Sequence, residues 1–567
     1  VLLPLPQAKE QSMNRISGAA LTIRLLERQG VRVVAGIPGG PILPIYDALS
    51  HSPQISHVLA RHEQGAGFIA QGMARSTGLP AVCLASSGPG ATNLMTAIAD
   101  AMLDSIPLVA ITGQVPTALI GTDAFQEVDV CGVARSITKQ VFFVRSAAEL
   151  LQVIPKAFEI AMSGRPGPVL VDIPKDIQTQ MIELEDWPEA GRPQPHHVPD
   201  KALFARAAQM LAAAQRPVLY LGGGVVHAGA AEWAVRLAER ASLPTVTTLM
   251  ALGAIPAGHP LALGMPGMHA ARYTNLALRE CDLLIAVGAR FDDRVTGKVA
   301  EFCPQAQVIH IDIDPAELGK IKQPTLGIEC DAAIALSAIL PLVEPQPRTE
   351  WLVHIAALRQ EFPLAATRED GIHAHFGLIR AVAEALDDEA IVTTDVGQHQ
   401  MWVAQAYPFR RPRQLLTSGG LGTMGFGLPA AIGASLAHPE RTVVCFSGDG
   451  SILMNIQELA TAAELDANIK VIVMNNRSLG LVHQQQSLFY GQRVFASRYS
   501  LTPDFIRIAG GFGLRAVDLD AEQNPDEMLR RMLAEPGPCL MHISVDINHF
   551  ALPIVPPGAA NHEMIGH

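Results

Sequence analysis

The chain has 567 residues, 49% hydrophobic and 17% charged, with a formal net charge of −12. That length divides into about two to four domains with a large buried core, and the acidic balance, without a basic run, excludes a nucleic-acid binder. Seven scattered cysteines, none in a C-x-x-C pair, read as buried thiols in a reducing cytoplasm rather than disulfides or a zinc site.

The start, VLLPLPQAKEQSMNR, lacks the basic-then-apolar order of a secretory signal and reads as a tail. No charge-free apolar run is long enough to span a membrane. From about Ile16 to Gln180, the strand-like runs VRVVAGI, AVCLASS, PLVAITG and PVLVDIP alternate with helical stretches such as Gly65–Arg75 and Ala91–Ala101. This alternation predicts a doubly wound parallel sheet. Within it, LARHEQGAGFIAQGMAR places Glu63 where a strand gives way to an Ala/Gly-rich helix. A carboxylate in apolar surroundings gains proton affinity, but a helix-starting Glu favoured by the dipole explains the position equally simply. The loop SSGPGATN, residues 86–93, either holds a ligand or turns tightly.

A proline-rich linker, DWPEAGRPQPHHVPD, follows, and its His196-His197 pair reads as solvated. The second segment, about 201–345, repeats the pattern with RPVLYLGGG, DLLIAVGAR and VIHIDID. Gly222-Gly223-Gly224 after a strand is a weak dinucleotide signal. Asp312 ends a strand where a ribose-binding acid would sit, so the two together point to a nucleotide. Arg290, Asp292, Asp293 and Arg294 in GARFDDRVTGK form either a solvated ion-pair edge or an anion clamp. VEPQPRTEW joins this segment to the third, about 372–550.

There, TTDVGQHQMW and TSGGLGTMGFGLPAAIGA follow apolar runs. The latter surrounds Met424 with glycines, as either a flexible loop or a backbone cradle with Met424 supporting a ligand. In FSGDGSILMNIQELATAAELDANIKVIVMNN, strand Thr442–Ser447, helix Ser451–Leu465 and strand Ile469–Met474 make a βαβ unit. Asp449 and the Asn475-Asn476 pair then lie at the carboxyl ends of parallel strands, where α/β sheets bind ligands. A carboxylate and an amide oxygen suit Mg²⁺, and Gly448 and Gly450 let backbone N–H groups approach a diphosphate. Each piece alone could be a turn or a strand cap; the whole arrangement favours the ligand reading.

These residues resemble a family. G-D-G followed by N-N is the thiamine diphosphate motif, and RHEQGAG, IPGGPILPIYDAL, DAFQEVD, SGRPGPVLVDIPKD, GMHAARYTN, GARFDDRVTGK, GTMGFGLPAAIGA and HQQQSLFY together resemble acetohydroxyacid (acetolactate) synthase large subunits. The resemblance runs from about residue 14 to 567. It implies three doubly wound parallel-sheet domains: pyrimidine-binding over 14–185, FAD-binding over 201–345 and diphosphate-binding over 372–550, with a tail over 551–567. It implies a homodimer or dimer of dimers with the active site between subunits, a small regulatory subunit, and pyruvate and 2-oxobutyrate as substrates. Pyruvate would be decarboxylated on thiamine diphosphate and its two-carbon unit passed to a second 2-oxo acid.

By the same resemblance, Glu63 would hydrogen-bond the aminopyrimidine ring, and Gly40, Phe125, Gln126 and Lys175 would line the reaction pocket. Asp449, the Asn476 side chain and the Ser478 carbonyl would bind Mg²⁺. Gln398, His399, Gly422, Gly450, Ser451, Gly480 and Leu481 would surround the diphosphate end, and Met424 would hold the cofactor bent. FAD, structural in role, would contact Arg165, Gly222, Gly223, Gly224, His269, Gly288, Ala289, Arg290, Asp312 and Asp331. Arg294 would pair with the second substrate's carboxylate beside Met268. Two positions depart from the family pattern: Gln485 stands where many relatives have Trp, and Pro41 where they often have Ala or Ser. A pyruvate oxidase-like flavoenzyme is the nearest rival. A simple decarboxylase is disfavoured because no His-His pair lies near DAFQEVD, a glyoxylate carboligase because residue 63 is Glu, and an inactive cofactor-binding scaffold because every polar residue that the chemistry needs is present.

Overall fold

The strands Leu108–Gln114 and Pro168–Pro174 are buried at every position, as strands covered by helices on both faces must be. The computed structural model describes residues 15–364 and 371–566, so the N-terminal stretch read as a tail, residue 14 and His567 lie outside the described residues. Three parallel sheets follow one another along the chain, matching the expected fold class.

Numbered in chain order, the strands of the first sheet are Val33–Gly36, Ser56–Leu59, Ala81–Ala85, Leu108–Gln114, Gln140–Phe143 and Pro168–Pro174, in spatial order 2-1-3-4-6-5. The third sheet, Ile391–Thr394, Leu415–Leu416, Val443–Gly448, Ile469–Asn475, Arg515–Asp518 and Cys539–Ser544, has the same order. The two are thus alike in topology without a visible sequence repeat. The middle sheet, Pro217–Leu221, Thr245–Thr247, Leu283–Val287, Gln307–Asp312 and Leu326–Glu329, runs 2-1-3-4-5. In each, the order reverses between strands 1 and 3, which opens a crevice at the carboxyl edge. The strands that pattern reading missed, such as Thr245–Thr247, Gln140–Phe143 and Leu415–Leu416, are short and at or near sheet edges, so they carry no long apolar run. A short antiparallel pair, Arg15–Ser17 with Met181–Glu183, ties the ends of the first domain together.

The helix expected over Ser451–Leu465 is broken into Asp449–Ile452 and Glu458–Glu464. At the break the Asn455 amide donates to Gly425 O at 2.7 Å, an outside partner that an uninterrupted helix would not reach. The apolar spacing still serves the core, because Ile452 and Leu459 are buried on either side of the break.

First and third domains share one continuous core. Helix Glu63–Thr77 of the first crosses helix Gly427–Ala437 of the third through glycines. A Cβ on Gly72 would lie 2.1 Å from Ala430 O, and one on Gly433 would lie 1.9 Å from Ile69 O, so only glycine permits this approach.

In the first sheet, Asp172 is 1% exposed and accepts from Thr112 Oγ1 at 2.7 Å and Gln114 Nε2 at 3.1 Å. Burial pushes its carboxyl from an ordinary value near 4 up to about 7, with the two donors offsetting part of the rise. Between those values the folded chain holds a proton that the unfolded chain releases, so this contribution to stability is full below about pH 4 and is lost as pH rises through about 7. Asp172→Asn is expected to flatten the fall in denaturation midpoint between pH 5 and pH 8. An unchanged fall would remove Asp172 as its source.

Candidate active site

A pocket of about 170 Å³ opens at the carboxyl edge of the third sheet. Its walls come from the ends of strands 1, 3 and 4: Gln398 and His399 after the first, Gly448–Ser451 after the third, and Asn476, Ser478, Gly480 and Leu481 after the fourth, with Gly422 and Met424 from the glycine loop. All the residues expected around the diphosphate end and the metal are therefore gathered here. Gly422, at φ +68°, and Gly425, at φ +87°, supply left-handed turns on either side of Met424.

The donor set fits a hard divalent cation. Asp449 is 3% exposed, and burial pushes its carboxyl up to about 6, offset by backbone N–H groups that include those of Gly450, Asn476 and Ser478. A buried carboxylate so placed calls for a positive partner. Asn476 Nδ2 donates to Gln398 Oε1 at 2.9 Å, which orients the amide. Gln398 Nε2 in turn donates to Gln484 Oε1 at 2.9 Å and His549 O at 3.1 Å. A Cβ on Gly480 would lie 2.1 Å from Gln398 Oε1, so glycine makes room for this pair. His399 is buried and its Nε2 has no partner among the described residues, a polar atom facing a ligand position.

Every residue lining this pocket belongs to the third domain; Glu63 is not among them. Glu63 starts the helix that follows strand 2 of the first sheet, and its Oε2 accepts from Asn93 Nδ2 at 3.0 Å. No described residue donates to Oε1 through a hydrogen bond. The Ser86 and Ser87 hydroxyls of SSGPGATN are buried without partners. Gly40 and Lys175 follow strands 1 and 6 of that sheet, and Phe125 and Gln126 lie beyond strand 4, so these too belong to its carboxyl edge. Phe125 is 87% exposed, and Gln126 at φ +62° packs against Gly88.

A second cleft, of about 380 Å³, opens at the carboxyl edge of the middle sheet. Gly222, Gly223 and Gly224 follow strand 1, Gly288, Ala289 and Arg290 follow strand 3, Asp312 ends strand 4, and Asp331 follows strand 5. Arg165 enters from the first domain, with Nη1 2.9 Å from Glu317 Oε1. Gly222 and Gly224 run against Gly288, where added Cβ atoms would lie 2.1 Å and 2.6 Å from its backbone. Thr248 Oγ1 is buried there without a partner, and burial pushes Asp312 up to about 6. This glycine cradle with acids at strand ends suits a nucleotide.

One residue expected beside FAD is placed apart from this cleft's lining. His269 does not line this cleft; it lines a separate cavity of about 160 Å³, with Nδ1 3.2 Å from Pro553 O. His196, read as solvated, is exposed, its side chain 39% accessible, and it stands at the rim of this cleft with Pro193, its Nε2 4.0 Å from Asp331 Oδ2. Arg294 and Met268 come together, Nη1 4.0 Å from Sδ, with the guanidinium side chain 69% exposed. Gln485 is exposed on helix Gly480–Phe489, which begins in the third-domain pocket.

Asp395 went unremarked in the sequence. It is fully buried, and its Oδ1 accepts from Gly425 N at 2.7 Å and Val396 N at 3.0 Å, while Oδ2 accepts from Ser447 Oγ at 3.1 Å. It thereby ties the Met424 loop to the strand leading into G-D-G. The available signal was the Asp of TTDVG itself, just past the end of strand Ile391–Thr394 at the carboxyl edge where Asp449 also follows its strand.

Family models match the chain in three pieces: the thiamine pyrophosphate enzyme N-terminal binding domain over residues 16–133, the central domain over 204–339 and the C-terminal binding domain over 395–543. The fold and the third-domain pocket are thus those of a thiamine pyrophosphate enzyme. The chain is 60% identical over 553 residues to acetolactate synthase isozyme 1 large subunit of Escherichia coli strain K12, covering 97% of this chain and 98% of that protein. It is 48% identical to the isozyme 2 large subunit of the same organism, covering 97% and 99%. It is 44% identical to a probable acetolactate synthase large subunit of Methanocaldococcus jannaschii, covering 96% and 94%. The chain belongs to the acetolactate synthase large-subunit family. No helix among the described residues is long and apolar enough to cross a membrane.

Proposed function

We propose that two copies of this chain build an acetolactate synthase active site, with thiamine diphosphate and Mg²⁺ held by the third domain of one copy and met by Glu63 of the other. The observation that supports this reading is the division of the site: a third-domain pocket that gathers the residues expected around a diphosphate and a cation with no first-domain residue lining it, and a carboxylate with one open oxygen at the carboxyl edge of the first domain. Exposed apolar side chains support a second copy. Phe125 on the first domain and Phe495 and Leu501 on the third are each more than 80% exposed.

Asp449, Asn476 and the Ser478 carbonyl would hold Mg²⁺, and His399 Nε2 with the backbone of Gly450 and Ser451 would face the diphosphate. Thiamine diphosphate, when bound, supplies the nucleophilic carbon and the electron sink for decarboxylation. Met424, from the glycine loop lining the pocket, would support that cofactor. Glu63 would hydrogen-bond the aminopyrimidine ring of that cofactor and hold a proton there through its carboxylate. Gln126, Lys175, Gly40 and Phe125 close the reaction pocket, and Arg294, beside Met268, orients the carboxylate of the second 2-oxo acid. The products are 2-acetolactate from pyruvate alone and 2-aceto-2-hydroxybutyrate with 2-oxobutyrate, at the first common step of branched-chain amino acid synthesis.

FAD would occupy the middle cleft without net electron transfer. Because the relatives are named large subunits, we include a small regulatory partner in this proposal, and the scattered, mostly buried cysteines support a reducing, cytoplasmic setting. The purified chain is expected to form acetolactate from pyruvate only with both thiamine diphosphate and Mg²⁺. Flavin bleaching on pyruvate addition, with no acetolactate, would favour the oxidase instead.

Gln485 bears on acceptor choice. The two acceptors differ by one methylene, which an apolar wall can discriminate by about 1–3 kcal/mol. An exposed, flexible Gln provides no such wall; a Trp face does. Pyruvate and 2-oxobutyrate at equal concentration are expected to give comparable amounts of the two products, and Gln485→Trp is expected to shift the ratio toward 2-aceto-2-hydroxybutyrate. A many-fold preference in the native chain, or no shift in the variant, would take Gln485 out of the acceptor pocket.

A further inference from the structure

Between the middle cleft and the third-domain pocket lies a buried ion cluster. Arg75, on helix Glu63–Thr77, places Nη2 2.7 Å from Asp100 Oδ2 and 2.9 Å from Asp104 Oδ2, and all three side chains are at most 3% exposed. The aspartates lie one turn apart at the end of helix Pro89–Leu103, Asp104 at its C-cap. Two carboxylates face one guanidinium, so an excess negative charge sits in the interior, where it is costly unless other donors reach it.

Those donors come from the glycine loop of the third domain. Gly419 N donates to Asp104 Oδ2 at 3.0 Å and Gly420 N to Asp104 Oδ1 at 2.7 Å. Ser418 Oγ donates to Asp100 Oδ1, and Thr423 Oγ1 reaches the same oxygen at 3.2 Å. Arg75 Nη1 closes the cluster on Thr417 O at 2.9 Å. The loop then runs into Gly422 and Met424, which line the third-domain pocket. On the other side, Leu103, Asp104 and Ser105 wall the middle cleft, and Met250, also in that wall, packs on Gly419, where a Cβ would lie 2.4 Å from its sulfur.

We propose that Asp104 is a positioning residue shared by the two pockets: its carboxylate fixes the Gly419–Gly420 backbone, and with it the loop that carries Met424, while its own helix end walls the cleft. The inference rests on the reading of the third-domain pocket as the thiamine diphosphate site. Both carboxylate oxygens accept backbone N–H groups, so an amide of the same size satisfies one and turns its own N–H₂ on the other.

The test is Asp104→Asn, with Asp172→Asn as a control for a buried carboxylate of the same domain whose side-chain donors, Thr112 and Gln114, lie outside the loop. Thiamine diphosphate is titrated with Mg²⁺ by calorimetry, and backbone amide exchange is followed across 417–425 in the cofactor-free protein. Asp104→Asn is expected to weaken thiamine diphosphate binding about 10- to 100-fold, the scale of losing hydrogen bonds to a charged group, and to speed exchange at Gly419 and Gly420. Asp172→Asn is expected to change neither. Binding to the native chain with unchanged affinity in Asp104→Asn overturns the inference and leaves the pocket assignment standing. Failure of the native chain to bind overturns the pocket assignment itself. Should Asp104→Asn not fold, the native chain decides: Gly419 and Gly420 amides exchanging as fast as open loops before cofactor is added would overturn the inference.

Discussion

Glu63→Gln is expected to lower turnover by roughly 10²–10⁴-fold, the usual contribution of a positioned acid–base group, with folding and flavin content unchanged. Gln keeps the length of the side chain and can still accept from Asn93, whose Nδ2 lies 3.0 Å from Glu63 Oε2. It cannot present an anionic oxygen at Oε1, where no described residue donates a hydrogen bond. Because Glu63 only begins its helix and His62 supplies the N-terminal cap, the substitution leaves the helix start intact. Exchange of the thiazolium C2 proton separates this role from a packing role. The variant should exchange slowly, and native exchange rates in the variant would sink the assignment.

Asp449→Ala is expected to weaken thiamine diphosphate binding by at least about 10²-fold even at high Mg²⁺, the scale of removing one partner from a buried charge pair. Asp449 would be the charged member of the proposed Mg²⁺ donor set, which the neutral Asn476 amide and Ser478 carbonyl could not replace. The carboxylate is nearly inaccessible, so alanine there disturbs little surface while removing the negative charge that the proposed cation would need. Calorimetry or quenching of tryptophan fluorescence, with Trp402 in the pocket wall, reads the loss. Unchanged affinity would mean that the cation sits elsewhere.

The third-domain pocket was legible because its residues are close in sequence. G-D-G and N-N end adjacent strands of one βαβ unit, and period and spacing place both at one edge. The Gly222–Gly224 run and Asp312 were legible as separate hints, but only the 2-1-3-4-5 sheet order brings them to one cleft. Glu63 was ambiguous on position alone, since a helix-starting Glu is ordinary; the resemblance, not the local pattern, distinguished it. Contacts between distant segments were hidden: Arg75 and Thr417 are 342 residues apart, and exposed His196 stands at the rim of a cleft built by the middle domain. Asp395 and Asp104 carry no local signature, because their meaning lies in the backbone N–H groups that other segments aim at them. The break at Asn455 was missed for the same reason: the apolar spacing continued across it while an outside carbonyl took the amide.

The central claim is that one active site needs Glu63 of one copy and Asp449 of another. It is tested most directly by mixing Glu63→Gln and Asp449→Ala chains, each strongly impaired alone, under conditions that let subunits exchange, and measuring acetolactate from pyruvate with thiamine diphosphate and Mg²⁺. In a two-fold symmetric dimer, a mixed pair has one site with both residues intact, so random exchange should restore about a quarter of native activity. Full subunit exchange with no recovery would contradict the account and place both residues in a site built within one chain.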